Sequence, residues 1–206
     1  MAENTMMAAV IHEHGGPECM KIETVARPQP KADEVVLRVA ACTIGHLDVF
    51  VRNGMPGREI PLPHITGCDV AGWVEQLGAD VTGLQVGDAV LVDPTVPGGT
   101  LGEVIPGGLA QYVAVPADNL LALDADDIDT FVKAAALPIA YGTAHRMLFD
   151  RGGVKAGETL VVLGASGGVG VSCVQLGKQA GARVIAVTSS DWKAEQLRGI
   201  GADVAI

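Results

Sequence analysis

Hydrophobic and polar positions divide the chain into two stretches of different period. In the first, apolar residues come in short runs separated by glycine and proline, the pattern of strands joined by turns. Residues 6–11 and 20–25 read as strands, and Pro28 and Pro30 break the chain after them. Residues 34–42 alternate, which places Val35, Leu37 and Val39 on one face. Residues 46–53 form a short helix, stopped by Gly54 and Pro56. A strand over 69–77 carries Gly72 in mid-run, marking a bulge or a close backbone approach. Further strands are predicted over 89–92 and 109–115, so the stretch reads as a barrel-like β unit.

The period changes near Asp124. Asp124, Asp126, Asp127 and Asp129 sit at the start of a helical segment, where negative charge is favoured. Pro138 ends that segment or opens the next, which runs through Tyr141 and His145 towards Phe149. After Gly152-Gly153 strands and helices alternate strictly: strand 159–163, helix 168–180, strand 183–187, helix 191–200 and strand 203–206. Gly181 and Gly201 are the expected C-caps. This order predicts a parallel sheet with right-handed crossovers. Within it, TLVVLGASGGVG (159–170) is a strand, a glycine turn and a helix start, which together present backbone N–H groups to a phosphate. The literal G-x-G-x-x-G is absent, because Ala165 stands at its first glycine. The turn alone leaves phosphate binding and tight strand–helix packing equally open. Ile206 falls inside the third strand, so one βαβαβ half of a doubly wound domain is expected. An uncovered strand there would leave backbone donors and acceptors open to solvent or to another chain.

Composition narrows the function classes. Hydrophobic residues make up 49% of the 206 positions and aromatics 3%, so the core is aliphatic. With 14 Lys and Arg against 24 Asp and Glu, the net charge is −10. That argues against nucleic acid or an anionic membrane surface as partner. No apolar stretch is long enough to span a bilayer, and MAENTMMAAV does not read as a signal peptide. Cys19, Cys42, Cys68 and Cys173 lack framework spacing, which fits a reducing compartment; a soluble, cytoplasmic protein is expected. Cys19, Cys42 and Cys173 read as small core residues. Asp48 and Arg52, one helical turn apart, read as a structural pair.

Six motifs in order then carry a resemblance: IGHLDVFVRNG (44–54), LPHITGCDVAG (62–72), VTGLQVGDAV (81–90), GGLAQYVAVP (107–116), TAHRML (143–148) and LGASGGVGVSCVQLGKQAGARVIAVTSS (163–190). The chain resembles the medium-chain dehydrogenase/reductase superfamily, on its zinc-independent, quinone-oxidoreductase-like side. The resemblance implies a fold of class α/β plus β. A GroES-like β-barrel catalytic domain (1–124) precedes a partial Rossmann domain (125–206), a doubly wound parallel sheet without the family's closing part. It makes Ala165-Ser166-Gly167-Gly168-Val169-Gly170 the phosphate turn. The strand end Val187-Thr188-Ser189-Ser190 carries no carboxylate for a ribose 2′-hydroxyl. Its hydroxyls, with Lys193 and with Arg183 nearby, suit a 2′-phosphate, so NADP(H) is expected over NAD(H). Lys193 also reads as an ordinary solvated helix lysine.

Zinc-dependent relatives hold a catalytic ion at positions matching Gly45, Cys68 and Ile139, and one thiol does not hold zinc. No catalytic metal is expected, with an improvised set from His46, His64, Asp48 and Asp69 as the lesser alternative. A structural zinc is not expected either, since residues 94–107 contain no cysteine. Hydride transfer without a Lewis acid suits quinones or activated alkenes and carbonyls, whose products delocalise charge. The product anion then needs a hydrogen-bond donor: His46, Thr43 or Tyr141, with His64 and His145 behind them. Gly45 and Phe50 match an asparagine and a tyrosine of zinc-free relatives, and both polar groups are lost. Thr143 matches a residue at the nicotinamide end of the site. Two other readings stay open: a non-catalytic truncated member or half-enzyme needing a partner chain, and a zinc alcohol dehydrogenase. The expected partner is a small-molecule substrate, and homo-oligomerisation, common among such relatives, is left open.

Overall fold

Antiparallel pairing builds the first part of the chain. Strand β1 (Thr5–Ile11) pairs with β2 (Met20–Ala26) from Thr5↔Ala26 to Ile11↔Met20. These positions come from a computed structural model that describes residues 4–125 and 127–206. The chain divides into the units Met1–Pro138 and Ile139–Ile206. Asp126, one of the four acidic residues near the expected helix start, lies outside the described residues.

After β2 the first unit continues through β3 (Glu34–Cys42), helix α1 (His46–Asn53), β4 (Val70–Leu77) and β5 (Ala89–Val92). Then follow β6 (Thr95–Val96), β7 (Gly99–Thr100), β8 (Tyr112–Pro116), β9 (Leu120–Ala122) and helix α2 (Ile128–Ala135). Five strands form one sheet in the order β8-β3-β4-β5-β9, while β6 and β7 pair separately. Valines and leucines of β3, β4, β5 and β8 make the aliphatic core, among them Val35, Leu37, Val74, Val90 and Val115. Strict alternation fails on β3, where Val35, Val36 and Leu37 are all fully buried. The register shifts at Val36/Leu37 and at Val39/Ala41, and such irregularities re-aim successive side chains. Gly72 lies opposite Val39, and a Cβ there would collide with the Arg38 carbonyl, so both expectations for this glycine hold.

Two elements differ from the sequence expectation. The strand expected over 109–115 begins only at Tyr112. Gly108 and Leu109 instead donate to the carbonyls of Gly67 and Thr66, so backbone pairing with that loop outcompetes extension of β8. The helix expected from Asp124 begins at Ile128, because Asp127 is its N-cap and accepts from the Thr130 N–H at 2.8 Å. Helix α2 lays Phe131, Ala134 and Ala135 on Ala71 of the sheet, and the Phe131 ring sits 4.4 Å from that of Trp73. The Arg38 guanidinium stacks 4.1 Å over Trp73, and Arg27 stacks 3.8 Å over Tyr112. Glu75 lies between these guanidiniums, at 3.9 Å from Arg38 and 3.0 Å from Arg27.

In the second unit, helix α3 (Pro138–His145) runs on into a π-helical turn, Arg146–Arg151. Strands β10 (Thr159–Leu163), β11 (Arg183–Val187) and β12 (Val204–Ala205) then form a parallel sheet in that order. Helices α4 (Gly168–Gln179) and α5 (Asp191–Gly199) make the crossovers. Val162, Val184, Ala186 and Ala205 meet Val174, Ala194 and Leu197 in one core. Gly181 and Gly201 follow the helices at φ +79° and +121°, as expected of C-terminal glycines. On β10, Val161 and Leu163 are 54% and 77% exposed. Among the described residues, no helix is long and apolar enough to cross a membrane.

Because Phe131 is fully buried against Trp73, Phe131→Ala is expected to destabilise the first unit by about 3–5 kcal/mol. Urea unfolding of variant and wild type measures this.

Candidate functional site

In the first unit the candidate residues gather where the chain leaves β3 and enters α1. Asp48, only 4% exposed, holds this turn. Its Oδ2 accepts from the Gly45 N–H at 2.7 Å, which is one half of a capping box, since the N-cap glycine has no side chain to complete it. Its Oδ1 accepts from the Thr66 hydroxyl at 2.6 Å and the Gly67 N–H at 2.8 Å, with the Cys68 thiol at 3.7 Å. One carboxylate therefore ties the start of α1 to the loop before β4. The expected Asp48–Arg52 pair does not form, because these buried donors claim the carboxylate. Arg52 donates instead to the Gly15 carbonyl at 3.1 Å and to Asn53 at 2.9 Å.

Of the candidate proton donors, Thr43 already donates its hydroxyl to Asp69 Oδ2 at 3.0 Å. His46 is exposed, and its ring lies 6.3 Å from that of Phe50. Ile44 and Phe50 are 70% and 53% exposed, so His46 stands among apolar side chains that face solvent. His64 is buried, with Nε2 at 3.0 Å from the Gly102 carbonyl. Burial pushes its pKa down, and the neutral ring donates through Nε2 to that carbonyl. In the second unit, Tyr141 donates its hydroxyl to Gln175 Oε1 and so joins α3 to α4. Thr143 is exposed on α3, and the exposed His145 ring meets Phe149 at 4.9 Å.

The positions matching zinc ligands offer little to a metal. Gly45 contributes only backbone, Ile139 has no donor side chain, and the Cys68 thiol points at Asp48. Burial and the carboxylates of Asp48 and Asp69 push the Cys68 pKa well up. The same causes push Cys42 up to about 12. The thiolate is the nucleophile, so these shifts slow attack by either thiol on an electrophile near neutral pH. Cys42 packs against the aliphatic core of the first unit, as expected, with its thiol donating to the Thr43 carbonyl. Among the described residues, no three His, Cys, Asp or Glu side chains are placed to hold an ion.

The glycine turn of the second unit is shaped by backbone contacts that only glycine allows. Gly164 ends β10 at φ +61°, and its carbonyl accepts from the Gly167 N–H at 3.0 Å. A Cβ on Gly170 would lie 2.6 Å from that carbonyl, so the helix meets the turn only because this residue is glycine. Ala165 is fully buried, and its N–H donates to Val187 at 3.0 Å. The alanine is therefore a core residue and leaves the approach to the turn clear. Gly167 caps α4 without any side-chain bond, so the first N–H groups of α4 keep no intrahelical partner.

Beyond β11 lies a cavity of about 500 Å³ lined by Thr188, Ser189, Ser190, Asp191, Glu195 and Arg198, among others. The hydroxyls of Thr188 and Ser190 are buried and have no hydrogen-bond partner. Lys193 Nζ donates to Ser189 Oγ at 3.3 Å. Arg183 opens β11 at the far end of the strand, five residues from Thr188 at about 3.3 Å each, so it is not near this cavity. The strand end 187–190 itself carries no carboxylate, but Asp191 and Glu195 on α5 add two to the lining. Glu195 was hidden from the sequence because only the helix path returns it to this place. Gln175 and the Thr66–Gly67 loop were hidden likewise, since their partners are remote in sequence.

Residues 31–125 match the alcohol dehydrogenase GroES-like domain. A quinone oxidoreductase of Pongo abelii is 34% identical over 190 residues, covering 92% of this chain and 54% of that protein. An NADPH-dependent alkenal/one oxidoreductase of Arabidopsis thaliana, described as chloroplastic, is 38% identical over 204 residues, covering 98% and 52%. The crystal structure of an NAD-dependent alcohol dehydrogenase superposes with a TM-score of 0.91 at 35% identity, covering 98% of this chain and 63% of that one. The chain spans about half the length of the curated relatives it matches.

Asp48→Ala strands the donors of Gly45, Thr66 and Gly67, and each buried unpaired donor costs about 1–3 kcal/mol. Denaturant unfolding is expected to show a loss of about 3 kcal/mol or more. In the folded chain, Cys42 and Cys68 are expected to resist iodoacetamide at neutral pH, with labelling of Cys42 rising as pH climbs towards about 12. Mass-spectrometric mapping of the alkylated thiols checks this.

Proposed function

The chain belongs to the medium-chain dehydrogenase/reductase superfamily, and on that premise we propose that it is an NADPH-dependent oxidoreductase that reduces a quinone or an activated alkene or carbonyl without zinc. One observation carries the cofactor choice: Lys193 bonded to Ser189, beside the buried and unpartnered hydroxyls of Thr188 and Ser190. The Lys193 ammonium at this strand end favours a phosphorylated ribose, and Thr188 and Ser190 line the cavity beside it. The uncapped start of α4 fits the diphosphate, because its N–H groups and the helix dipole favour negative charge.

When bound, the cofactor supplies a hydride. Everything else falls to the chain. An acceptor that spreads the arriving charge over a ring or an enone needs donors rather than a Lewis acid, and the residues at Gly45, Cys68 and Ile139 provide no metal set. His46 is the donor left uncommitted, since Thr43 and Tyr141 already donate to Asp69 and Gln175. Its imidazole N–H would stabilise the product oxygen and then pass on the proton. The exposed Ile44 and Phe50 beside it suit an apolar acceptor.

A second reading, a half-enzyme working with a partner chain, is favoured by the exposed Val161 and Leu163 on β10. Parallel sheets are ordinarily covered on both faces.

Purified chain is expected to bind NADPH more tightly than NADH, and Lys193→Gln is expected to weaken NADPH about tenfold while leaving NADH unchanged. Fluorescence titration measures both, and tighter NADH binding by wild type would sink the cofactor choice. Quinone-dependent NADPH oxidation separates the two readings: binding without turnover favours the half-enzyme.

A further inference from the structure

The cavity beyond β11 holds an ion pair that the proposed function leaves unused. Arg198, in the last turn of α5, divides its guanidinium between two acceptors. Its Nη1 lies 3.1 Å from Glu195 Oε2, and its Nη2 donates to the Ala205 carbonyl at 2.8 Å. A guanidinium carries five N–H donors, so capacity remains for a third acceptor. The pair is open to water, with side-chain exposures of 47% for Arg198 and 76% for Glu195. Such exposed pairs are weakly held.

Charge decides what this cavity accepts. While Glu195 occupies the guanidinium, Asp191 leaves the lining net negative, which suits the uncharged hydroxyls of a plain ribose. Once Glu195 lets go, Arg198 presents a planar fork matched to phosphate, a stronger contact than the exposed pair it replaces. Thr188 and Ser190 line the same space, and the exposed Ser189 stands between them. Resting on the dinucleotide reading above, we propose that Arg198 discriminates phosphorylated from unphosphorylated ribose, and that Glu195 tempers this selectivity by holding the guanidinium. Lys193, bonded to Ser189, supplies a second positive charge at the same strand end. The ratio of NADPH to NADH affinity is then set by the contest between Glu195 and a phosphate for Arg198.

The test compares adenosine 2′,5′-bisphosphate with adenosine 5′-monophosphate, which differ only by the ribose phosphate, in calorimetric titrations of the 206-residue chain at low salt. Glu195→Gln is expected to raise the affinity ratio roughly threefold to fivefold in favour of the bisphosphate. Arg198→Met is expected to lower it about tenfold. Arg198 also holds Ala205, so a thermal melt accompanies that variant, whereas the gain in Glu195→Gln is not a result that misfolding produces. An unchanged ratio in both variants overturns the role of Arg198 and leaves the dinucleotide reading standing. Failure of wild type to bind either probe overturns both.

Discussion

A carboxylate taken out of water costs several kcal/mol unless donors surround it, and the first unit is arranged to surround Asp48. Gly45, Thr66 and Gly67 reach it from two segments, and the Cys68 thiol leans on the same oxygen. The anchorage propagates outward. It sets the start of α1 and hence the position of His46, and it secures the loop whose carbonyls bind Gly107, Gly108 and Leu109. It also keeps Cys42 and Cys68 protonated, because a thiolate beside buried carboxylates is doubly disfavoured. Gly45 itself offers only backbone, and its turn is closed on this carboxylate.

The second unit solves a different problem with backbone alone. Gly164 and Gly170 let β10 turn directly into α4, and the methyl of Ala165 goes into the core instead of towards the turn. The start of α4 is left without a side-chain cap, so its first N–H groups have no intrahelical acceptor. Side chains matter at the end of β11, where Lys193 and Arg198 oppose Asp191 and Glu195 within a short stretch of one helix.

The sequence made the architecture readable where local signals agreed. Proline, glycine and short apolar runs located β3, α1, β5, β10 and β11 to within a residue, and the strand–helix alternation after Gly153 foretold the parallel sheet. Boundaries slipped where a distant partner took over the backbone. Gly108 and Leu109 joined the loop at Gly67 and Thr66, Ala110 and Gln111 paired with β1, and the acidic run began its helix only after Asp127 had become the cap. The candidate donors were the right residue types for the chemistry, yet Thr43 and Tyr141 spend their protons on Asp69 and Gln175. Those commitments join residues 26 and 34 positions apart, beyond the reach of any spacing rule.

The division has a physical basis. Element type, order and parallel pairing arise from periodicity, turn chemistry and crossover handedness, all of which act over a few residues. Burial of Asp48, withdrawal of Cys42 and Cys68 from reactivity, and the return of Glu195 and Arg198 to the end of β11 arise from contacts closed by the folded chain. Ionisation and charge balance depend on distance in space and on exclusion of water, and neither quantity exists until the segments have come together.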